Sequence, residues 1–186
     1  MRVIEAALKE ILILEPRVFE DPRGFFVETY QKSRYRDLGI DLDFVQDNLS
    51  FSQKNTLRGL HFQYPRGQAK LVQVLQGEVF DVAVDIRMGS PSFGKWCGSR
   101  LSAENKRQMF IPAGFAHGFC VLSQTALFHY KCSEYYAPDC ETGLLWNDPD
   151  LGIDWPVKKP ILSDKDAAYQ HLADMDTGRL PDYEVT

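Results

Sequence analysis

Short apolar runs recur along the chain at strand period, and turn-forming residues separate them. Ile11 to Phe19 is rich in Ile, Leu, Val and Phe and runs into Glu-Asp-Pro-Arg-Gly, which predicts a first strand ending in a turn. Phe25 to Tyr30 predicts a second strand. Ser33 to Leu38 reads as a short helix closed by Gly39 as its C-terminal glycine. Phe44 to Ser52 and Thr56 to Gln63 follow as strands joined by Gln53-Lys54-Asn55.

The clearest alternation spans Lys70 to Ile86, where Gln76-Gly77 separates two runs. In the second run Phe80, Val82, Val84 and Ile86 share one face and Asp81 and Asp85 the other, the period-two pattern of a half-buried strand. In the first run Lys70 has the parity of Val72 and Val74, so it points the way the core valines point, an unusual direction for lysine. Further strands are expected at Lys95 to Leu101, Gln108 to Ile111, Gly118 to Leu122 and Ala126 to Ser133. Many short strands at roughly even spacing indicate a mainly β, antiparallel sandwich or barrel. Trp146 to Pro160 is loop-like, and Ser163 to Asp174 is expected to close the chain as a helix that starts with a capping-box spacing, Ser-Asp-Lys-Asp.

Size changes this picture little: 186 residues suit one domain, with N-terminal strands over about 1–50, a barrel over about 51–135 and C-terminal loops and helix over about 136–186. Composition changes what the protein can bind. A net charge of -5 disfavours nucleic acid, so any anionic ligand must be held by a local cluster of Arg and Lys. No apolar run is long enough to cross a bilayer, and the first ten residues carry charges where a signal peptide has its apolar core. A cytoplasmic protein without membrane contact is expected. Cys97, Cys120, Cys132 and Cys140 form no Cys-x-x-Cys pair and are expected to be free thiols.

Candidate chemistry concentrates between Asn48 and Lys70. Arg58, His61 and Lys70 combine a cation that binds anions, a group that exchanges protons near neutral pH and an ammonium that can face developing negative charge. His61 sits between Leu60 and Phe62, a setting that also suits a core histidine bonded for structure. An inward Lys70 needs a permanent carboxylate or a ligand that supplies negative charge. Tyr130 shares a strand face with Ala126, Phe128 and Cys132, so its ring points inside, as a structural tyrosine or as a proton donor. Asp166 falls at the third helical position of the capping box, but a carboxylate there can also fold back to hold a histidine tautomer.

Phe-Ile-Pro-Ala-Gly-Phe-Ala-His-Gly-Phe at 110–119 resembles the second cupin motif, with Pro112, Gly114 and His117 in the turn that presents a histidine to a barrel. Metal-binding cupins carry His-x-His in the first half, whereas this chain has His61-Phe62-Gln63. Too few ligands converge for a metal, and no metal site is expected.

Seven ordered motifs extend the resemblance: Asp-Pro-Arg-Gly-Phe-Phe-Val-Glu (21–28), Phe-Val-Gln-Asp-Asn-Leu-Ser (44–50), Leu-Arg-Gly-Leu-His-Phe-Gln (57–63), Gly-Glu-Val-Phe-Asp-Val-Ala-Val-Asp-Ile-Arg (77–87), Leu-Ser-Ala-Glu-Asn-Lys-Arg-Gln (101–108), Ile-Pro-Ala-Gly-Phe-Ala-His-Gly-Phe (111–119) and Leu-Trp-Asn-Asp-Pro (145–149). Together they resemble the dTDP-4-dehydrorhamnose 3,5-epimerase family over about residues 11–168. The resemblance implies a cupin-type jelly roll that works as a homodimer, without metal or organic cofactor, on a dTDP-sugar in the route to dTDP-L-rhamnose. It implies His61 as base, Asp166 as its carboxylate partner, Lys70 as enolate stabiliser and Tyr130 as the acid on the opposite face. It implies substrate contacts at Arg23, Glu28, Gln46, Asn48, Arg58, His117, Glu141 and Lys165, with Phe26 in the same N-terminal motif as Arg23 and Glu28, a motif expected to reach the other subunit's site. Competing expectations are a single-centre epimerase or a 3,4-ketoisomerase on the same scaffold, a metal-dependent cupin, and a noncatalytic sugar-nucleotide-binding module.

Overall fold

The computed structural model describes residues 1–183. Its strands are β1 (Arg2–Ile4), β2 (Leu12–Glu15), β3 (Val18–Asp21), β4 (Gly24–Val27), β5 (Gln46–Gln53), β6 (Leu57–Gln63), β7 (Lys70–Gln76), β8 (Glu78–Asp85), β9 (Trp96–Ser102), β10 (Gln108–Ile111), β11 (Phe115–Val121), β12 (Thr125–Cys132) and β13 (Glu141–Gly143). Two short helices accompany them, α1 (Lys32–Arg36) and α2 (Asp164–Ala167). A six-stranded sheet runs β1-β2-β10-β7-β12-β5, a five-stranded sheet runs β13-β6-β11-β8-β9, and β3 and β4 form a separate hairpin. Every pairing between these strands is antiparallel.

From β5 onward the chain repeatedly crosses between the two sheets, which is the jelly-roll path, and the mainly β sandwich expected from the strand spacing is present. The turn at Gly77 makes one crossing rather than closing a hairpin: β7 pairs with β10 and β12, β8 with β9 and β11. Gly77 has φ +81°, and a Cβ there would lie 2.1 Å from the Thr125 carbonyl oxygen. Only glycine supplies that turn at that closeness.

Three apolar layers result. Val72, Val74, Val79, Ala83, Met109, Phe119, Val121 and Phe128 fill the space between the sheets. Val82, Val84 and Ile86 on the outer face of the five-stranded sheet are covered by Leu151, Trp155, Leu172 and Leu180 from the C-terminal segment. Leu14, Leu71 and Phe110 on the outer face of the other sheet are covered by Tyr35 and Ile40 around α1.

Several expected elements differ in extent. The run from Ile11 to Phe19 is two strands, interrupted at Pro16-Arg17, because proline lacks the N–H that a continuing ladder needs. The second strand stops at Val27 and the first helix covers Lys32–Arg36. The closing helix is a single turn, Asp164–Ala167, followed by a short 3₁₀ turn at Leu172–Asp174. β8 is buried on both faces, with Asp81 and Asp85 wholly inside, so its alternation separates two interiors rather than core from solvent. The four cysteines are free, three of them buried. No helix among the described residues is long and apolar enough to cross a membrane.

Candidate active site

One cleft opens between the two sheets. It consists of two adjoining cavities of about 240 Å³ each, both touching His61, Lys70, Tyr130 and Glu141. Ser50, Arg58, His117, Phe119 and Phe128 complete one, and Gln46, Asn48, Gln63, Gln68 and Tyr136 the other. His61 comes from β6 in the five-stranded sheet, Lys70 and Tyr130 from β7 and β12 in the six-stranded sheet. A ligand in the cleft therefore has the histidine and the tyrosine on opposite walls.

His61 Nε2 lies 2.7 Å from Asp166 Oδ1. The carboxylate reaches it because α2 folds back under β6, and the Ser163 hydroxyl accepts the Asp166 N–H at 3.1 Å. Different atoms of Asp166 make the two contacts: its N–H is capped by Ser163 and its side chain bonds His61. Burial favours the protonated acid, but the hydrogen bond and charge of His61, together with hydrogen bonds from the Gly59 N–H and Ser163, prevail and hold the carboxyl below its ordinary range. An anionic acceptor at Nε2 fixes the proton there and leaves Nδ1 with a lone pair.

Lys70 points inward as its parity requires and is 8% exposed. Its ammonium makes no hydrogen bond or ion pair among the described residues. Burial pushes its pKa down, opposed by Cys132, Glu141 and Asp81. Tyr130 packs its ring beside Phe128, at 5.9 Å between centroids, and burial pushes its hydroxyl up to about 12. The phenol stays protonated at neutral pH.

His117 pairs directly with His61 across β6 and β11, and its Nε2 lies 3.0 and 3.1 Å from the two oxygens of Asp81. Burial lowers the pKa of His117 and raises that of Asp81, each opposed by the other. Sequence reasoning missed Asp81, although its parity with Val79 and Ala83, both of which face the other sheet, was visible in the alternation. Tyr169 was missed as well; its ring stands edge-on to His61, centroids 5.7 Å apart. Gln63, where a metal-binding motif would place a second histidine, donates to the Arg66 and Tyr135 carbonyls and accepts the Ala137 N–H. Among the described residues no three His, Cys, Asp or Glu side chains converge as metal ligands.

Of the remaining candidates, Gln46, Asn48, Arg58 and Glu141 line the cleft, and Lys165 reaches its rim through an ion pair with Glu141. Gln46 donates to Asn48 at 3.0 Å, and Arg58 donates to Ser52 at 2.9 Å. Arg23, Phe26 and Glu28 are not brought in. Arg23 and Phe26 sit on the β3–β4 hairpin, the Arg23 side chain 90% exposed and bonded to Asp21, and Glu28 just after it pairs with Arg34.

Residues 5–174 match the family model described as dTDP-4-dehydrorhamnose 3,5-epimerase. The protein of that name from Pseudomonas aeruginosa is 53% identical over 178 residues, covering 95% of this chain and 98% of the relative. A crystal structure of the dTDP-6-deoxy-D-glucose-3,5-epimerase from Legionella pneumophila, in complex with dTDP-4-keto-L-rhamnose, superposes with a TM-score of 0.97 at 54% identity and covers 99% of both chains. The dTDP-4-dehydrorhamnose 3-epimerase of Streptomyces niveus is 40% identical over 186 residues, 98% of this chain and 90% of that one.

Proposed function

The chain belongs to the dTDP-4-dehydrorhamnose 3,5-epimerase family, and from that premise we propose that it inverts C3 and C5 of dTDP-4-dehydro-6-deoxy-D-glucose, giving dTDP-4-dehydro-L-rhamnose, with His61 as base and Tyr130 as acid. The observation that carries the assignment of roles is the placement of His61, tied to Asp166 at 2.7 Å, across one cleft from Lys70 and Tyr130.

The C4 ketone acidifies the hydrogens on C3 and C5, so one carbonyl and one base can serve both centres. His61 Nδ1 takes the proton, and the electron pair moves onto the ketone oxygen as an enolate. The buried Lys70 ammonium stabilises that oxygen where charge appears. Tyr130 then delivers its hydroxyl proton to the carbon from the opposite wall. The carbon has exchanged one hydrogen for another with its configuration inverted; the imidazolium loses a proton to water and the phenolate regains one. Asp166 stabilises the imidazolium formed in between.

Arg58 binds the diphosphate, and Gln46, Asn48, His117, Glu141 and Lys165 contact the rest of the sugar nucleotide. We further propose that the protein works in the cytoplasm as a homodimer in which Arg23, Phe26 and Glu28 enter the partner subunit's cleft, since the hairpin leaves its own cleft untouched.

The test is incubation with dTDP-4-keto-6-deoxyglucose in deuterated water. Two deuterons in the recovered sugar, at C3 and C5, are expected by mass spectrometry. A single deuteron would point instead to a one-centre epimerase like the Streptomyces relative, and none would remove the proposed chemistry.

A further inference from the structure

We infer that Tyr169 is a positioning residue for His61, its ring filling a notch beside the imidazole and fixing the plane in which the base works. The inference rests on His61 being the base. Gly143 on the edge strand β13 lies directly opposite His61 on β6. A side chain at Gly143 would occupy the space beside the imidazole; instead a Cβ there would fall 2.5 Å from Tyr169 Cε2, so the tyrosine ring already occupies it. That ring meets the imidazole at 73°, edge to face, with centroids 5.7 Å apart.

The same short segment supplies both contacts. Asp166 comes from α2, and Tyr169 follows immediately, anchored where Leu145 N–H donates to the Gln170 carbonyl at 2.8 Å. The two contacts do different work. The second torsion of a histidine side chain is broad, so one hydrogen bond at Nε2 fixes an atom but leaves the ring free to pivot about it. A rigid ring packed edge-to-face against the imidazole removes that freedom and so aims Nδ1 into the cleft. The tyrosine hydroxyl adds nothing to this: it is shielded from solvent and makes no well-formed hydrogen bond, and burial pushes it up to about 12 although Lys165 acts the other way. The ring is the working part, and phenylalanine should replace it.

The experiment compares the full-length protein with Tyr169→Phe and Tyr169→Ala. Tyr169→Ala should lower kcat about tenfold with KM within about twofold, because the base is misaimed while the binding groups stay in place; Tyr169→Phe should retain the original kcat. Long-range proton–nitrogen NMR at about pH 8.5 reads the tautomers of the 4 histidines, with His61 identified by its loss in His61→Asn. His61 should hold its proton on Nε2 in all three proteins, because Asp166 sets the tautomer, while carbon relaxation of its ring should show a rigid imidazole in the original protein and in Tyr169→Phe and a mobile one in Tyr169→Ala. An equally rigid His61 ring in Tyr169→Ala would overturn the inference, whether or not melting temperature and activity fall together, as would a Tyr169→Phe enzyme as impaired as Tyr169→Ala. If the unaltered protein shows no epimerisation, the proposed function fails, and the NMR comparison still decides what Tyr169 does to the imidazole.

Discussion

Lys70 has an environment that makes sense only with a ligand. A cation 8% exposed with no ion pair among the described residues is destabilising in the empty protein, because desolvation is not offset by a partner. Lys70→Met keeps the length and packing but removes the charge. The variant should melt roughly 3 °C higher, a gain on the order of 1 kcal/mol for a chain of this size, while kcat falls at least a hundredfold through loss of enolate stabilisation. Calorimetry beside a turnover assay checks both; a lower melting temperature would mean the ammonium is already stabilised by the protein. The base and acid separate in the same way. His61→Asn should abolish deuterium wash-in at both carbons, and Tyr130→Phe should spare part of the exchange while blocking inversion, since proton removal does not need the phenol; each change should cost about 10²–10⁴ in epimerisation rate. Normal exchange in His61→Asn would place the base elsewhere. The inward direction of Lys70 was legible from parity alone. The bond from His61 to Asp166 was not, because a contact across 105 positions leaves no local signal; only the resemblance to the family implied it.

The element that makes this contact is one helical turn. α2 is too short to be stable on its own intrahelical bonds, so its position depends on the Ser163 cap, the side chain of Asp166 and the apolar segment around Leu172. Ser163→Ala should therefore cost about 1 kcal/mol of stability and also lower kcat severalfold at unchanged KM, since the turn that loses its cap carries the carboxylate that orients the base. Denaturant unfolding and steady-state kinetics measure the two effects; a stability loss without any change in kcat would show that the cap and the His61 contact are independent. Sequence periodicity overextended this element to Asp174, because Leu172 continues the apolar spacing yet sits in a separate 3₁₀ turn beneath the five-stranded sheet. The same limit appears at β8. Alternating apolar and acidic residues look half-exposed when the second interior, closed by Trp155, Leu172 and Leu180, lies far ahead in the chain. Strand existence was legible because turn residues bound each run; which interior each face meets was set by contacts the local pattern cannot carry.

At the scale of the whole molecule, one surface remains unpartnered. The β3–β4 hairpin exposes Phe25 and Phe26 at 61% and 68%, and the outer face of β5 and β7 exposes Leu49, Phe51 and Leu75. Clustered large apolar side chains on a protein of this size mark an interaction surface, and the hairpin carries Arg23, a cation whose only ion pair among the described residues is with its neighbour Asp21. A homodimer that inserts each hairpin into the other cleft would cover those side chains and bring a second arginine to an anionic ligand. Mixing two inactive variants distinguishes this arrangement from one in which each chain completes its own site. Arg23→Ala combined with Glu28→Ala damages only the hairpin, and His61→Asn only the cleft. In a crossed dimer the hybrid contains one site built from an intact cleft and an intact hairpin, so refolding equal amounts together should restore about a quarter of the full activity, half the molecules being hybrids with one working site each. If each hairpin served its own chain, every site in the mixture would keep one defect and activity would stay at the level of the separate variants.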